Sequence, residues 1–195
     1  MSVQVQPATP DRWDDLVTVF GRRGNDPSWC WCRLFLSSGT DESSSSGPTP
    51  DNRQALRQEI THAATAPGLI AYVGDHPVGW TRVGPRSAFP RVGGNRALAR
   101  VLTDDPGTWW VTCFAIDSRH RRSGVASALL EAAVTFARHH GATAVQGHPV
   151  DVAALRATHV SGSALYTGTM AMFVAAGFSE VARTFPTRPV MQLLM

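Results

Sequence analysis

One stretch of twenty residues limits the fold more than any other. From Val111 to Leu130 the chain reads Val-Thr-Cys-Phe-Ala-Ile-Asp-Ser-Arg-His-Arg-Arg-Ser-Gly-Val-Ala-Ser-Ala-Leu-Leu. Thr108 to Ile116 is β-rich and mostly apolar, as a central strand must be. Val125 to Arg138 carries apolar residues over most of its surface: Val125, Leu129, Leu130, Ala133, Val134 and Phe136. A helix that apolar is buried. Gly141 stops it, and Thr143 to Gln146 resumes as a strand. Strand, helix and strand within about 40 residues match a parallel βαβ unit, so the chain reads as α/β.

The turn between that strand and that helix carries the chemistry. The first N–H groups of a helix have no internal partners and point out of its N-terminus, where the helix dipole favours negative charge. Arg119, Arg121 and Arg122 add positive charge at the same place, and Gly124 has no side chain to block a ligand. The pattern predicts a pyrophosphate cradle. It is not a Walker loop, because the Gly-Lys-Ser/Thr ending is absent, and a single glycine is no dinucleotide fingerprint.

The remaining segments fall around this unit. Val3 and Val5 alternate with Gln4 and Gln6 as a short strand. Pro10 and Asp11 open a helix with Trp13, Leu16, Val17 and Phe20 at helical spacing. Pro27-Ser-Trp-Cys-Trp-Cys-Arg-Leu-Phe-Leu36 follows, and then a Ser-rich surface loop over residues 37–50. Asn52 to Ala66 is helical, with Pro67-Gly68 as its stop. Leu69 to Val73 and Val78 to Val83 form a hairpin about Gly74-Asp75-His76-Pro77. Gly84 to Gly107 reads as a loop with a short helix over Arg96 to Leu102. Pro149 to Gly162 is a loop, Thr169 to Ala176 a helix, and Ser179 to Arg183 and Val190 to Leu194 two closing strands.

Composition excludes several functions. The 195 residues fit one domain. No apolar run reaches the ~20 residues of a membrane span, and Met1 to Thr9 is too polar for a signal peptide, so no membrane partner and a cytoplasmic location are expected. Three cysteines, Cys30, Cys32 and Cys113, make no disulfide framework, and without further ligands at finger-like spacing no metal is expected. All 18 basic residues are Arg, so no lysine can act in catalysis. A net charge of +3 is too small to argue for nucleic-acid binding.

Arg121-Arg-Ser-Gly-Val-Ala126 resembles the Gln/Arg-x-x-Gly-x-Gly/Ala motif of the GNAT superfamily of N-acetyltransferases. The preceding strand, the following Leu129-Leu130, the upstream Pro77-Val-Gly-Trp80 and the downstream Met172-Phe-Val-Ala-Ala-Gly-Phe178 stand in the family's order. The Trp29-Cys-Trp-Cys32 segment and the ending Pro186 to Met191 are similar to a bacterial branch of it. The resemblance implies one acetyltransferase domain over residues 1–195. Its α/β fold is a mixed, mostly antiparallel sheet of about six to seven strands flanked by helices. It also implies a parallel pair splayed at the CoA site, with acetyl-CoA as cosubstrate. Main-chain groups of Phe114, Ala115 and Ile116 would pair with the pantetheine arm, and N–H groups from Arg121 through Arg122, Ser123, Gly124 and Val125 to Ala126 would hold the pyrophosphate. A strand N–H would serve the acetyl carbonyl as an oxyanion hole. The implied reaction is acetyl transfer to a primary amine of a small molecule, by direct attack in a ternary complex. A protein N-terminus or lysine as acceptor and a non-catalytic CoA-binding module are the alternatives, and a homodimer is compatible with the fold.

The chain departs from the family in two places. Many members carry a Tyr four residues before the Gly-Phe pair as general acid; here the position is Phe173. Tyr166 stands seven residues earlier. Many members also use a Glu on the central strand as base, and this strand has none. His148 and Asp151 are the candidate catalytic residues, just after the second parallel strand. The plainer reading is a loop hydrogen bond for His148 and a cap or ion pair for Asp151. Cys113 is either a nucleophile or a packed core thiol; direct attack favours the second. Trp29, Trp31, Trp110 and Tyr166 are candidate acceptor-site residues, by stacking or cation–π contact, and the indoles could equally pack beneath the loops.

Overall fold

Alternating Val and Gln from Val3 to Pro7 make strand β1, whose residues alternate between half-buried and exposed. In the computed structural model, which describes residues 2–21, 25–26, 29–36, 51–155 and 165–195, twelve further elements follow. They are α1 (Trp13–Phe20), α2 (Asn52–His62), β2 (Gly68–Val73), β3 (His76–Pro85), α3 (Pro90–Gly93) and α4 (Arg96–Ala99). After them come β4 (Thr108–Ile116), α5 (Val125–His139), β5 (Ala144–Gly147), α6 (Met170–Ala175), β6 (Ser179–Phe185) and β7 (Arg188–Leu194). The expected Ser-rich loop over 37–50 and part of the 149–162 loop lie outside the described residues. No helix among the described residues is long and apolar enough to cross a membrane.

The strands form one seven-stranded sheet in the order β1-β2-β3-β4-β5-β7-β6. Every neighbouring pair is antiparallel except β4 and β5, which run parallel. α5 is the crossover between those two, and it buries Val125, Leu129, Leu130, Ala133, Val134 and Ala137. These pack with Phe173 of α6, Trp109, Val111 and Phe114 on one face of the sheet. Truncating a leucine at such a site costs about 2–5 kcal/mol.

The other face carries two smaller clusters. One joins α1 and α2 to Trp31, Cys32, Trp80 and Cys113. The second seats Phe89, Val92, Leu98 and Trp110 against Val190. Beneath the first, Arg82 is 1% exposed and is bound by both oxygens of Glu59 at 2.7 and 3.0 Å. A buried guanidinium needs such a partner.

Two expectations are corrected. α2 stops at His62, where Ala63 turns extended at ψ 133, rather than at Ala66. The loop before β4 contains two one-turn helices instead of one over Arg96 to Leu102. Pro90 starts the first, and the Asn95 side chain caps the second by accepting from the N–H groups of Ala97 and Leu98.

Candidate active site

β4 and β5 pair only from Thr108↔Ala144 to Val111↔Gly147. Beyond Val111, β4 continues for five residues against β3 alone among the strands, and β5 has ended. The two parallel strands therefore fork. A bulge at Thr112 marks the place, where the β3–β4 register skips from Arg82↔Cys113 to Val83↔Val111. Bulges re-aim strands beside functional sites.

The turn above the fork is built from its own side chains. Asp117 accepts from the Arg119 N–H at 2.9 Å and binds the Arg119 guanidinium at 2.9 and 3.2 Å. Those bonds hold the Asp117 carboxyl down to about 2. Arg119 is paired with Asp117 yet stays largely exposed on the same turn. Arg121 and Arg122 are exposed and make no ion pair among the described residues. Ser123 donates to the His120 carbonyl at 2.6 Å, which closes the turn.

Arg122 and Gly124 both take positive φ, +61 and +85. The second of these requires glycine in practice. A Cβ there would meet nothing within 4 Å, so Gly124 faces open space. No side chain caps the α5 N-terminus. The first N–H groups of α5, Val125 and Ala126 among them, thus stand at an open, positively biased helix end. The residues present fit an anionic diphosphate.

On β4, alternation sends the main-chain groups of Cys113, Ala115 and Asp117 to β3, and the Asp117 N–H indeed reaches Val78 O at 2.9 Å. Phe114 and Ile116 therefore turn toward the fork. Ala115, expected to pair with a pantetheine arm, is corrected: its main chain pairs with Trp80. The Phe114 N–H, expected to be open, donates to the Tyr166 carbonyl at 2.6 Å. Ile116 keeps its place on the forked edge.

His148 lies just past β5. Thr184 donates its hydroxyl proton to Arg188 O at 3.2 Å. Its oxygen can then accept the His148 Nε2–H, at 2.8 Å. That tautomer leaves the Nδ1 lone pair facing Arg188 Nη2 at 3.5 Å. Burial, and then the Arg188 charge, push His148 down to about 4. At neutral pH it is an uncharged, weakly basic ring with both nitrogens engaged, which is a poor general base. Asp151 is bound to Arg183 Nη1 at 2.9 Å and accepts the Ala154 N–H; the Arg183 guanidinium holds its carboxyl low. Arg183 also binds Glu180 and the Pro186 carbonyl.

The aromatic candidates separate. Trp31 has no exposed surface. It stacks on Trp13 at 5.7 Å, meets Phe20 edge-on at 4.7 Å and donates its indole N–H to Asp26 O. Trp110 is 1% exposed beneath α3 and α4. Both are corrected from acceptor-site walls to core. Trp29 is half-buried, edge-on to Phe20. Tyr166 is exposed, with its ring 6.4 Å from Phe35. Phe173 is fully buried, and its ring fills the space where a Gly147 Cβ would stand, 2.6 Å away.

Sequence reasoning missed Arg188, half-buried in β7. It donates to Thr167 Oγ1 at 3.1 Å, faces His148, and lies within electrostatic reach of the Tyr166 phenol. No motif marks it; only pairing of β7 with β5 brings it here. A groove of about 460 Å³ between β1, β2 and α5 lies beyond β3 from the fork and holds none of these groups.

Residues 31–160 match the model of the acetyltransferase (GNAT) family. Among solved structures, the GNAT domain of S. lividans PAT is similar at TM-score 0.58 and 18% identity, covering 100% of this chain and 92% of that one. A GCN5-related N-acetyltransferase from Kribbella flavida gives 0.54 and 17%, with 99% and 98% covered. An aminoglycoside acetyltransferase in complex with coenzyme A gives 0.54 and 16%, with 99% and 95% covered. No curated protein sequence matches the chain.

Proposed function

Because the chain belongs to the GNAT acetyltransferase family, whose acetyl donor is acetyl-CoA, we propose that it acetylates a primary amine of a small molecule by direct attack at the β4–β5 fork. The observation that carries this reading is the open end of α5, with Gly124 at φ +85, set directly above the fork. Acetyl-CoA supplies the activated thioester. The N–H groups from Arg122 to Ala126 and the Arg121 and Arg122 charges hold its diphosphate, and Ile116 on the forked edge meets the pantetheine.

Proton handling falls to different residues from those of many relatives. Phe173 offers no hydroxyl, and His148 and Asp151 are engaged elsewhere. The proposed acid for the departing thiolate is Tyr166. Its main chain is fixed to Phe114 at the fork, its ring is exposed, and Arg188 lies nearby. The amine attacks in its free form, the proton its nitrogen sheds passes to water, and Tyr166 regains from solvent the proton it gave to the thiolate. The same reading takes residues 1–195 as one domain, supported by β1 and β7 sharing one sheet, and places it in the cytoplasm.

Titration calorimetry with acetyl-CoA, followed by thiol-release assays over a panel of small amines, tests it. Binding plus amine-dependent CoA release is expected. A folded protein that binds no acetyl-CoA overturns the donor site. An acetylated Cys113 competent for transfer overturns direct attack. A second reading, a CoA-binding module without catalysis, is favoured by the Phe114 N–H being taken by Tyr166 O; binding without turnover across the panel would select it.

A further inference from the structure

Three cysteines stand in two separate parts of the sequence, and the fold brings two of them together. Cys113 on β4 and Cys32, between α1 and α2, place their sulfurs 2.8 Å apart although 81 residues separate them. Both are buried, at 6% and 7% exposure. The backbone is strained to achieve this: Trp31 and Cys32 are consecutive non-glycine residues at φ +40 and +51. Left-handed backbone of this kind persists only where the surroundings over-determine it, and it collects at functional sites. Here the Trp31 ring, locked among Trp13 and Phe20, supplies that constraint.

The surroundings suit thiol chemistry as well as packing. Arg82 is the register partner of Cys113 and lies within electrostatic reach of both thiols. Its Nε is buried with no partner among the described residues. Burial pushes the Cys32 thiol up, while the thiol–thiol contact and Arg82 make Cys113 the first of the pair to lose its proton. Cys30 is half-exposed and lies within electrostatic reach of both thiols, so the test must separate it from the pair.

We propose that Cys32 and Cys113 form a redox modification site: a dithiol, set between the segment that follows α1 and strand β4, that closes to a disulfide under peroxide. The inference does not rest on the proposed acceptor. The Cys113 thiolate attacks one peroxide oxygen, the O–O bond breaks, and water leaves after the departing hydroxide takes up the thiol's proton. Cys113 is then a sulfenic acid. The Cys32 sulfur attacks the Cys113 sulfur, the S–O bond breaks, and a second water carries away the Cys32 proton. In sum, two thiols and one hydrogen peroxide give one disulfide and two waters. Closure shortens the contact to about 2.05 Å, a small movement. It ties the strained Trp31–Cys32 backbone to the strand residue next to Phe114, so β4 and the segment after α1 can no longer move apart.

The test treats the full chain with hydrogen peroxide, quenches it, and counts thiols after denaturation. A fall from three thiols to one, reversed by dithiothreitol, is expected. The tryptic peptide spanning residues 24–33 contains both Cys30 and Cys32, so the Cys30→Ser variant assigns the bond. It should still form the cross-link to the Cys113 peptide, and its thiols should fall from two to none. The thermal midpoint of the oxidised form should rise, as expected for a cross-link closing a long loop. Three thiols surviving peroxide, a bond that requires Cys30, a bond between two chains, or sulfinic acid without a cross-link would each overturn the proposal. Cys32→Ala and Cys113→Ala should abolish the cross-link; if either fails to fold, the Cys30→Ser measurement still decides.

Discussion

The main-chain N–H of Phe114 donates to the carbonyl of Tyr166 at 2.6 Å, across the gap where β4 has lost β5 as a neighbour. The loop before α6 thus supplies the hydrogen bond that a continued β5 would have made. It also sets the Tyr166 ring at the mouth of the fork, near Phe35 and Arg188. Thr167 beside it is fixed by Arg188, and the Val150 N–H holds the Gly168 carbonyl at 3.0 Å. The phenol is therefore presented from an anchored backbone.

From that geometry, Tyr166→Phe should reduce kcat by about 10²-fold, the range of a lost general acid. The acetyl-CoA dissociation constant should change little, because the carbonyl that binds Phe114 is retained. Steady-state kinetics with calorimetry on the same variant separate the two. An unchanged kcat would remove Tyr166 from the chemistry.

Gly124 faces open space at φ +85. Gly124→Glu therefore costs only the left-handed backbone strain, about 1–2 kcal/mol, and the fold should survive. The new carboxylate stands at the open end of α5, where it opposes a bound diphosphate. Acetyl-CoA affinity should fall at least about tenfold, an unfavourable shift of ~1.4 kcal/mol, with an unchanged circular dichroism spectrum. A folded variant with wild-type affinity would contradict the cradle.

The cradle was legible because it is local. Strand, basic turn, glycine and helix follow each other in sequence, so period and helix-end chemistry locate β4, the turn and α5 together. α3 and α4 are one turn long and rest on Pro90 and the Asn95 cap, signals submerged among neighbouring glycines and prolines. The fate of Trp31 and Trp110 depended on partners brought from α1 and from residues 89–98, which no spacing rule connects. The same holds for His148, whose basicity is lowered by burial and then by Arg188, on the far side of a sheet pairing. Arg119 shows a nearer effect: Asp117, two residues before it, shares its charge.

Glu59 is the counter-ion of a guanidinium that has 1% of its surface exposed. Glu59→Gln should destabilise the protein by about 3–5 kcal/mol, since it leaves the Arg82 charge buried and unpaired. Arg33, 3.5 Å from the same carboxylate but on a more exposed stem, is too solvated to matter as much. Chemical denaturation checks this. A loss below about 1 kcal/mol, the level of a surface pair, would mean that water reaches Arg82.

His148 predicts an acid-side sensitivity of a particular shape. Its folded value is about 4 against an ordinary 6.5, so between those values the unfolded chain binds the proton and the folded one does not. Stability from this group is fully present above pH 6.5 and drains as pH falls toward 4. The ring is partly exposed, so solvent screening reduces its share to about 1–2 kcal/mol. His148→Asn keeps a side chain able to bond Thr184 but cannot titrate. Unfolding midpoints measured from pH 8.5 to pH 4 should fall more steeply for the wild type than for the variant, with the two curves parallel above pH 7. Parallel curves across the whole range would mean that His148 is solvated and free to protonate, which would return it to consideration as the base.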